Sequence, residues 1–149
     1  FGVEIASSKH IEAAASQAMV KDNILDFEKK FQTMIGERGI TLSGGQKQRT
    51  AIARALIKRP KILIFDDSLS AVDTKTEDAI LTQLKTDFGR ITSITISHRI
   101  STVKNADIIY YLEDGQITEF GTHEELLEKD GRYMAMYKKQ ILEQELEEI

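Results

Sequence analysis

The segment Leu42–Gln46 reads Leu-Ser-Gly-Gly-Gln and stands directly before an amphipathic, basic stretch of the sequence. The periodicity of that stretch predicts a helix from about position 45 to 58, which the only proline, at position 60, terminates. An uninterrupted apolar run, Ile62–Phe65, follows and leads into Asp66 and Asp67. Such a run is typical of a strand buried on both faces. The succession of helix, strand and further elements predicts an α/β fold with parallel strands in its core.

The remaining elements continue this alternation. Residues 1–40 are predicted to be mainly helical, with one helix from Ser7 or Ser8 to about position 19 and a short second helix starting at Asp22 or Asn23. A helix over about 75–88 and a strand over 91–97 follow. Asp114-Gly115 predicts a hairpin between strands 107–113 and 116–120. The domain would then comprise a helical part (1–40), the glycine-led helix (41–60), a strand-rich part (61–121) and C-terminal helices (122–149).

The C-terminal helices carry a discontinuous apolar stripe that predicts their buried face. Its members are Leu126, Leu127, Met134, Tyr137, Ile141 and Leu142. We expect the neighbouring His123, like His10, to be solvated or to act as a capping residue. The acidic end of the tail is typical of a solvated helix face.

Composition bounds the class of protein. The chain has 149 residues, 41% of them hydrophobic, which is one ordinary domain with enough apolar content for a core. A net charge of -4 argues against nucleic acid as a partner. The absence of cysteine excludes disulfides and thiolate metal sites. No apolar stretch approaches the roughly 20 residues that span a bilayer.

The five residues Leu42-Ser43-Gly44-Gly45-Gln46 form the first candidate site. Glycines at a helix start leave room for an anion beside free backbone N–H groups, where the helix dipole is positive. Ser43 can cap the helix and offer a hydroxyl, and Gln46 adds an amide. The alternative is a flexible turn, which is the commonest fate of a glycine pair.

The carboxylates after the apolar run form the second candidate site. A strand that ends in aspartate is how nucleotide-hydrolysing enzymes hold Mg²⁺ beside phosphate oxygens, and Asp66 stands in that position. Asp67 could act as a general base for the attacking water, or it could merely support Asp66. Together with the glycine-led helix, this pattern predicts that the chain handles ATP with Mg²⁺.

Two further residues have both an ordinary and a functional interpretation. Asp73 precedes a predicted helix and could simply cap it. His98 ends a predicted strand, where a packed surface histidine is commoner than a phosphate contact. No phosphate loop of the form Gly-x-x-x-x-Gly-Lys-Ser/Thr occurs in the chain, so the β and γ phosphates lack their usual seat.

The motifs together resemble those of ATP-binding cassette (ABC) proteins. Leu42–Gln46 resembles their signature motif and Ile62–Asp66 their Walker B strand. Ser70-Ala71-Val72-Asp73 looks like the D-loop, and His98 looks like the switch histidine. Gly36-Glu37-Arg38-Gly39 resembles the loop with which exporter-type transporters contact the coupling helices of their membrane domains.

The resemblance implies a P-loop NTPase (RecA-like) core that is incomplete here, with the ABC α-helical subdomain at its N-terminal side. We expect the Walker A loop and the Q-loop to lie upstream of the first residue. In this family two cassettes pair head to tail around two ATP molecules. The signature would grip ATP bound to a partner cassette, and Asp66, Asp67 and His98 would serve the chain's own site. Ser70, Ala71 and Asp73 would communicate between the sites.

One residue departs from the family pattern. The residue after the Walker B aspartate is normally glutamate, and here it is Asp67, whose carboxylate is closer to the backbone by about 1.5 Å, the length of one C–C bond. The stretch 67–73 resembles the degenerate halves of heterodimeric bacterial multidrug exporters. We therefore expect a different cassette as partner, membrane domains of the same transporter, a drug or lipid-like cargo, and a place on the cytoplasmic face of a bacterial cell membrane.

Two other functions are compatible with the same motifs. A non-transport ABC ATPase would use ATP closure as a clamp on a binding partner, although the Gly36–Gly39 segment favours transport. The isolated 149 residues could also be an inert piece that needs the upstream half or another chain to cover its core.

Overall fold

The computed structural model of the protein describes residues 3, 5–36, 40–87 and 91–147. The chain divides into two compact units, residues 1–96 and residues 97–149, and each is described by itself. In the first unit the helices are α1 (Ser8–Gln17), α2 (Lys21–Leu25), α3 (Gly44–Leu56) and α4 (Thr74–Asp87), with a 3-10 turn at Lys30–Gln32. Its strands are β1 (Ile62–Asp66) and β2 (Thr92–Ile96), which pair in parallel.

The helices of the first unit begin close to where the sequence predicts. Ser7 caps α1, because its hydroxyl oxygen accepts a hydrogen bond from the backbone N–H of His10 at 3.4 Å. The short helix α2 begins at Lys21, one residue before the earlier of its two predicted starts. The glycine-led helix α3 also begins one residue early, at Gly44. These local signals therefore locate the helices to within one or two residues.

The two strands of the first unit confirm the predicted parallel pairing, with Ile64 opposite Ile94. Leu63 and Phe65 are buried, but Ile62 and Ile64 are each 60% exposed. The prediction that this strand is buried on both faces is therefore wrong for the chain as it stands. Side chains alternate across a strand, and the helices of this unit cover only one face of the pair.

The core of the first unit joins the helical N-terminal part to the strands. Ala15 and Ala18 pack in one cluster with Ile52 of α3, Phe65 of β1 and Ile80 of α4. Each fully buried Ile, Leu or Phe stabilises the fold by about 1.5–3 kcal/mol. The helix α1 and the glycine-led helix α3 consequently share a core and pack against each other.

In its described residues, 97–147, the second unit contains a hairpin and three helices. These are α5 (Ile100–Val103), β3 (Ile109–Glu113), β4 (Gln116–Gly121), α6 (His123–Glu128) and α7 (Arg132–Glu147). The strands are antiparallel, and both residues of their turn have positive φ, 50° for Asp114 and 75° for Gly115. This is the geometry of a type I′ turn, so the predicted hairpin is confirmed.

The packing of the C-terminal helices differs from the predicted apolar stripe. Leu126 is fully buried as expected, but Leu142 is 59% exposed, and the largest buried side chain is that of Tyr133. The expectation that His123 is solvated or caps a helix is wrong. Its Nδ1 lies 2.8 Å from the Tyr133 hydroxyl, and its ring contacts Tyr137 edge-on. Aromatic residues with a polar tip enter a core when the tip finds such a partner.

Candidate nucleotide site

The signature turn, Leu42–Gln46, is closed by a reciprocal capping box at the start of α3. The Ser43 hydroxyl accepts a hydrogen bond from the Gln46 N–H at 3.2 Å, and the Gln46 side-chain oxygen accepts one from the Ser43 N–H at 3.0 Å. The first turn of any helix leaves N–H groups without intrahelical partners. The box uses two N–H groups of this turn, so those of Gly44 and Gly45 stay available to an external acceptor within the described part of the chain.

The charge around this turn suits an anion. The first turn of α3 contains no acidic residue, and the exposed Lys47 follows it directly. The positive end of the helix dipole is therefore not neutralised by a neighbouring carboxylate of the same turn. A phosphate oxygen is the ligand class that such a helix start accommodates.

The two glycines of the turn lie against Ala71, in the loop after β1. A Cβ added to Gly45 would stand 2.8 Å from the Ala71 carbonyl oxygen, closer than real Cβ atoms come, whereas one on Gly44 would meet the Ala71 Cβ at 3.4 Å. Gly45 is therefore needed for a backbone approach inside the protein as well as for space beside an anion. The sequence interpretation included only the second reason.

The segment Ser70-Ala71-Val72-Asp73, called the D-loop below, is hydrogen-bonded to α3 through Gln48. The Gln48 side-chain nitrogen donates to the Ser70 hydroxyl at 3.0 Å, and its side-chain oxygen accepts from the Ala71 N–H at 2.8 Å. Sequence reasoning missed Gln48, because nothing in a basic helical stretch distinguishes this glutamine from a solvated one. Only the partners 22 and 23 residues away reveal its role.

The last D-loop residue caps the next helix. A carboxylate oxygen of Asp73 accepts a hydrogen bond from the Thr76 N–H at 2.9 Å, directly before α4. Hydrogen bonds from the Thr76 backbone and hydroxyl hold the pKa of Asp73 below its usual range, and the positive charge of Arg49 acts in the same direction. The predicted capping role is confirmed, whereas communication between two sites stays a prediction.

The carboxylates Asp66 and Asp67 are exposed at the carboxyl end of β1. Asp67 adopts a positive φ of 47°, and its backbone is fixed on both sides. Its N–H donates to the Ile96 carbonyl at 3.0 Å, and its carbonyl accepts from the Ser70 N–H at 3.2 Å. The carboxyl end of parallel strands is where open α/β sheets bind ligands.

Few side chains among the described residues are placed to bind a metal ion together. Among the described residues, no cluster of three or more His, Cys, Asp or Glu side chains could hold a metal ion. Mg²⁺ is commonly bound through only one or two carboxylates, with substrate phosphates and water completing its octahedron. The exposed carboxylate of Asp66 fits that role, and it fits only together with a nucleotide.

His98 belongs to the second unit, where Gln140 of α7 braces the backbone beside it. The Gln140 side chain donates to the His98 carbonyl at 2.6 Å and accepts from the Ile100 N–H at 2.9 Å. This brace, too, was not predicted from the sequence. Of the predicted coupling loop, Gly36 is described and has φ 122°, while positions 37–39 lie outside the described residues.

The described residues include no helix that combines the length and apolar character needed to cross a bilayer.

Comparison with known proteins assigns the family. The sequence pattern of the family described as "ABC transporter" matches residues 4–70. ATP-binding cassette sub-family B member 5 of Mus musculus is 49% identical over 137 residues, which are 91% of this chain and 11% of that protein. The ATM1-type heavy metal exporter of Novosphingobium aromaticivorans is 43% identical over 143 residues, 96% of this chain and 24% of that protein.

Comparison with solved structures also finds an ABC exporter. The structure of a bacterial Atm1-family ABC exporter with ATP bound superposes with a TM-score of 0.87 at 44% identity, covering 94% of this chain and 25% of that one. The chain belongs to the ABC transporter family and is homologous to part of the nucleotide-binding domain of its exporters. It spans between 11% and 25% of the length of these relatives.

Proposed function

We propose that this chain is part of the module that binds and hydrolyses ATP in an exporter-type ABC transporter. The observation that carries the proposal is the signature turn, where the capping box of Ser43 and Gln46 leaves the glycine N–H groups available beside an undiminished helix dipole. Leu42, Ser43, Gly44, Gly45 and Gln46 would bind ATP held mainly by a partner cassette. A backbone anion site of this kind stabilises phosphate charge without a lysine of its own.

The chain's own ATP site would use the residues after β1. Asp66 would bind Mg²⁺ together with the nucleotide phosphates, and the metal would neutralise charge on those phosphates. Asp67 would orient the attacking water and accept its proton, and His98 would contact the terminal phosphate. These roles come from the family motifs, and they are supported by the exposure of both carboxylates at the strand end.

The shorter side chain of Asp67 makes hydrolysis at this site slow in our proposal. A misplacement of about 1 Å can cost on the order of a hundredfold in rate, and the tied backbone of Asp67 gives the carboxylate little freedom to advance. The chain would then hold its own ATP largely intact and complete the competent site of a different partner with its signature. Such a pair is a heterodimer.

The remaining assignments concern the whole transporter. Closure of two cassettes around ATP would drive alternating access in membrane domains, which the segment Gly36-Glu37-Arg38-Gly39 would contact from the cytoplasmic face of the membrane. The cargo would be a drug or a lipid-like molecule; the Novosphingobium relative is named for heavy metals. Relatives of similar identity come from bacteria and from animals, so a bacterial source has no support from them.

The experiment compares steady-state ATP hydrolysis by the full-length protein, without a partner, in its natural form and as Asp67→Glu. We expect the natural form to be nearly silent and Asp67→Glu to raise turnover by about a hundredfold. Asp67→Asn is the matched control, because it keeps the short side chain and removes the base. Turnover of about 1 s⁻¹ or more from the natural form would contradict the degenerate-site proposal.

A further inference from the structure

The signature turn and the D-loop are joined by one side chain. Gln48 is half-buried and lies four residues after Gly44, so both occupy the same face of α3, one turn apart. Its amide spans the gap to the loop with two hydrogen bonds of 3.0 and 2.8 Å, one to the Ser70 hydroxyl and one from the Ala71 N–H. An amide with one donor and one acceptor engaged has its orientation fixed.

The backbones of α3 and of the D-loop also approach each other closely beside Gln48. The gap between Gly45 and the Ala71 carbonyl leaves no room for a Cβ. Two neighbouring D-loop amides are satisfied within the loop, from Ser70 to the Asp67 carbonyl and from Val72 to the Leu69 carbonyl. The Ala71 amide is held by a side chain of α3 instead. The loop is therefore bonded to the helix at the point where it also touches the signature glycines.

We propose that Gln48 is a positioning residue that makes the signature turn and the D-loop move as one body. This inference rests on the function proposed above, in which the signature serves a partner's ATP and the D-loop communicates between sites. A D-loop shift would pull on Ala71 and Ser70, and through Gln48 it would displace the helix turn that carries Gly44 and Gly45. Occupancy of one ATP site would thereby alter the donor geometry offered to the other.

A set of variants separates this role from simple bracing of the loop. Gln48→Ala removes both hydrogen bonds. Gln48→Glu keeps both, because a carboxylate accepts from the Ala71 N–H and from the Ser70 hydroxyl. Lys58→Ala is the matched control, as it changes an exposed residue just beyond the end of the same helix that lies opposite the signature turn. Ser70→Ala removes one bond and closes a double-mutant cycle with Gln48→Ala.

The first measurement is amide hydrogen exchange of the full-length protein. In Gln48→Ala the Ala71 amide should exchange about tenfold faster, because a hydrogen bond of ordinary net strength is lost. The strand amides of β1 and β2 should keep their rates, as they should in Lys58→Ala. An Ala71 amide that exchanges at an unchanged rate in Gln48→Ala would overturn the proposal.

The second measurement is ATP hydrolysis by the full-length protein assembled with its partner cassette. We expect Gln48→Ala to lower kcat about tenfold with KM nearly unchanged, and Gln48→Glu to restore it. A loss that Gln48→Glu does not restore, or a kcat equal to that of Lys58→Ala despite faster exchange, would overturn the positioning role. Absence of hydrolysis in the natural assembly would overturn the proposed function and this role with it. Faster exchange of the Ala71 amide in Gln48→Ala would then still show that Gln48 and Ala71 are hydrogen-bonded.

Discussion

Helices α3 and α6 begin with the same capping box. In α3, Ser43 and Gln46 exchange hydrogen bonds of 3.2 and 3.0 Å, and in α6, Thr122 and Glu125 exchange bonds of 3.3 and 3.0 Å. In both helices a hydroxyl accepts from the third backbone N–H, and the third side chain accepts from the cap. The hydrogen-bond distances of the two capping boxes thus agree to within a tenth of an ångström.

The charges at the two starts differ. The first turn of α6 contains Glu124 and Glu125, whose carboxylates neutralise the positive end of its dipole, whereas the first turn of α3 has no acidic residue. The neighbours differ as well. The first residue of α6, His123, is engaged with Tyr133, whereas Gly44 is exposed at the start of α3. The capping box by itself therefore does not distinguish the two helix starts; the uncompensated dipole and the exposed first residue of α3 do.

The largest expected effect is on stability, at Gly45. Gly45→Ala should lower the free energy of unfolding by about 1–3 kcal/mol, because the new methyl group would push the Ala71 carbonyl away. Gly44→Ala is the matched control, since its methyl group would make an ordinary contact. Urea denaturation of both variants measures the difference. Equal stabilities would show that the glycine pair serves only to leave space for a ligand.

The next largest effect on stability is expected at the two cap residues, Ser43 and Thr122. Ser43→Ala and Thr122→Ala should each lower the free energy of unfolding by about 1 kcal/mol, because each removes an equivalent cap. Only Ser43→Ala should also impair ATP hydrolysis by the assembled protein, by about tenfold for one lost hydrogen bond. Equal loss of hydrolysis in the two variants would mean that the effect is one of folding.

The hydrogen bond between Tyr133 and His123 can be tested through the pH dependence of stability. Burial raises the pKa of Tyr133 to about 12, with the negative charge of Glu124 adding to the effect, against 10.0 for an ordinary tyrosine. The pKa of Tyr133 is higher in the folded protein than in the unfolded chain. The neutral hydroxyl therefore contributes its full stability below pH 10, and this contribution is lost as the pH rises from 10 towards 12. Tyr133→Phe should cost about 1 kcal/mol at pH ~8 by loss of the bond to His123, and the cost should shrink at pH ~11.

Urea denaturation at the two pH values measures this change, with Tyr110→Phe as the control at an exposed tyrosine. A cost of Tyr133→Phe that stays constant between the two pH values would show that burial does not hold this hydroxyl neutral.

The smallest expected effect on stability comes from adding a negative charge to the first turn of α3 and removing one from the first turn of α6. Gln46→Glu keeps the acceptor of the capping box and should raise the stability of α3 by about 0.3–1 kcal/mol through the dipole. Glu125→Gln should lower that of α6 by a similar amount. Gln46→Glu should nevertheless weaken ATP-dependent activity, since it adds a negative charge at the turn that we propose as a phosphate site. Unchanged activity in Gln46→Glu would contradict an anion site at this turn.

The local elements could be predicted from the sequence because their causes lie within a few residues. The hydroxyl of Ser7 or Ser43 reaches an N–H three residues on, and the turn Asp114-Gly115 requires positive φ that these residue types tolerate. The strand Ile62–Asp66 was predicted as a strand, but its predicted burial on both faces was wrong. Burial depends on which neighbours cover each face, and periodicity does not contain that information.

The candidate site was predicted only as a set of motifs. The order of glycine pair, apolar strand and aspartates determined the α/β class and the family, because chemistry at phosphate needs these residue types next to a helix start and a strand end. Only the tertiary structure decided that Gln48 bonds to Ala71, that Gly45 faces the same residue, and that Tyr133 rather than Met134 is a core residue of the second unit. The first two of these contacts join residues more than 20 positions apart. Their geometry follows from the packing of whole elements and not from any local preference.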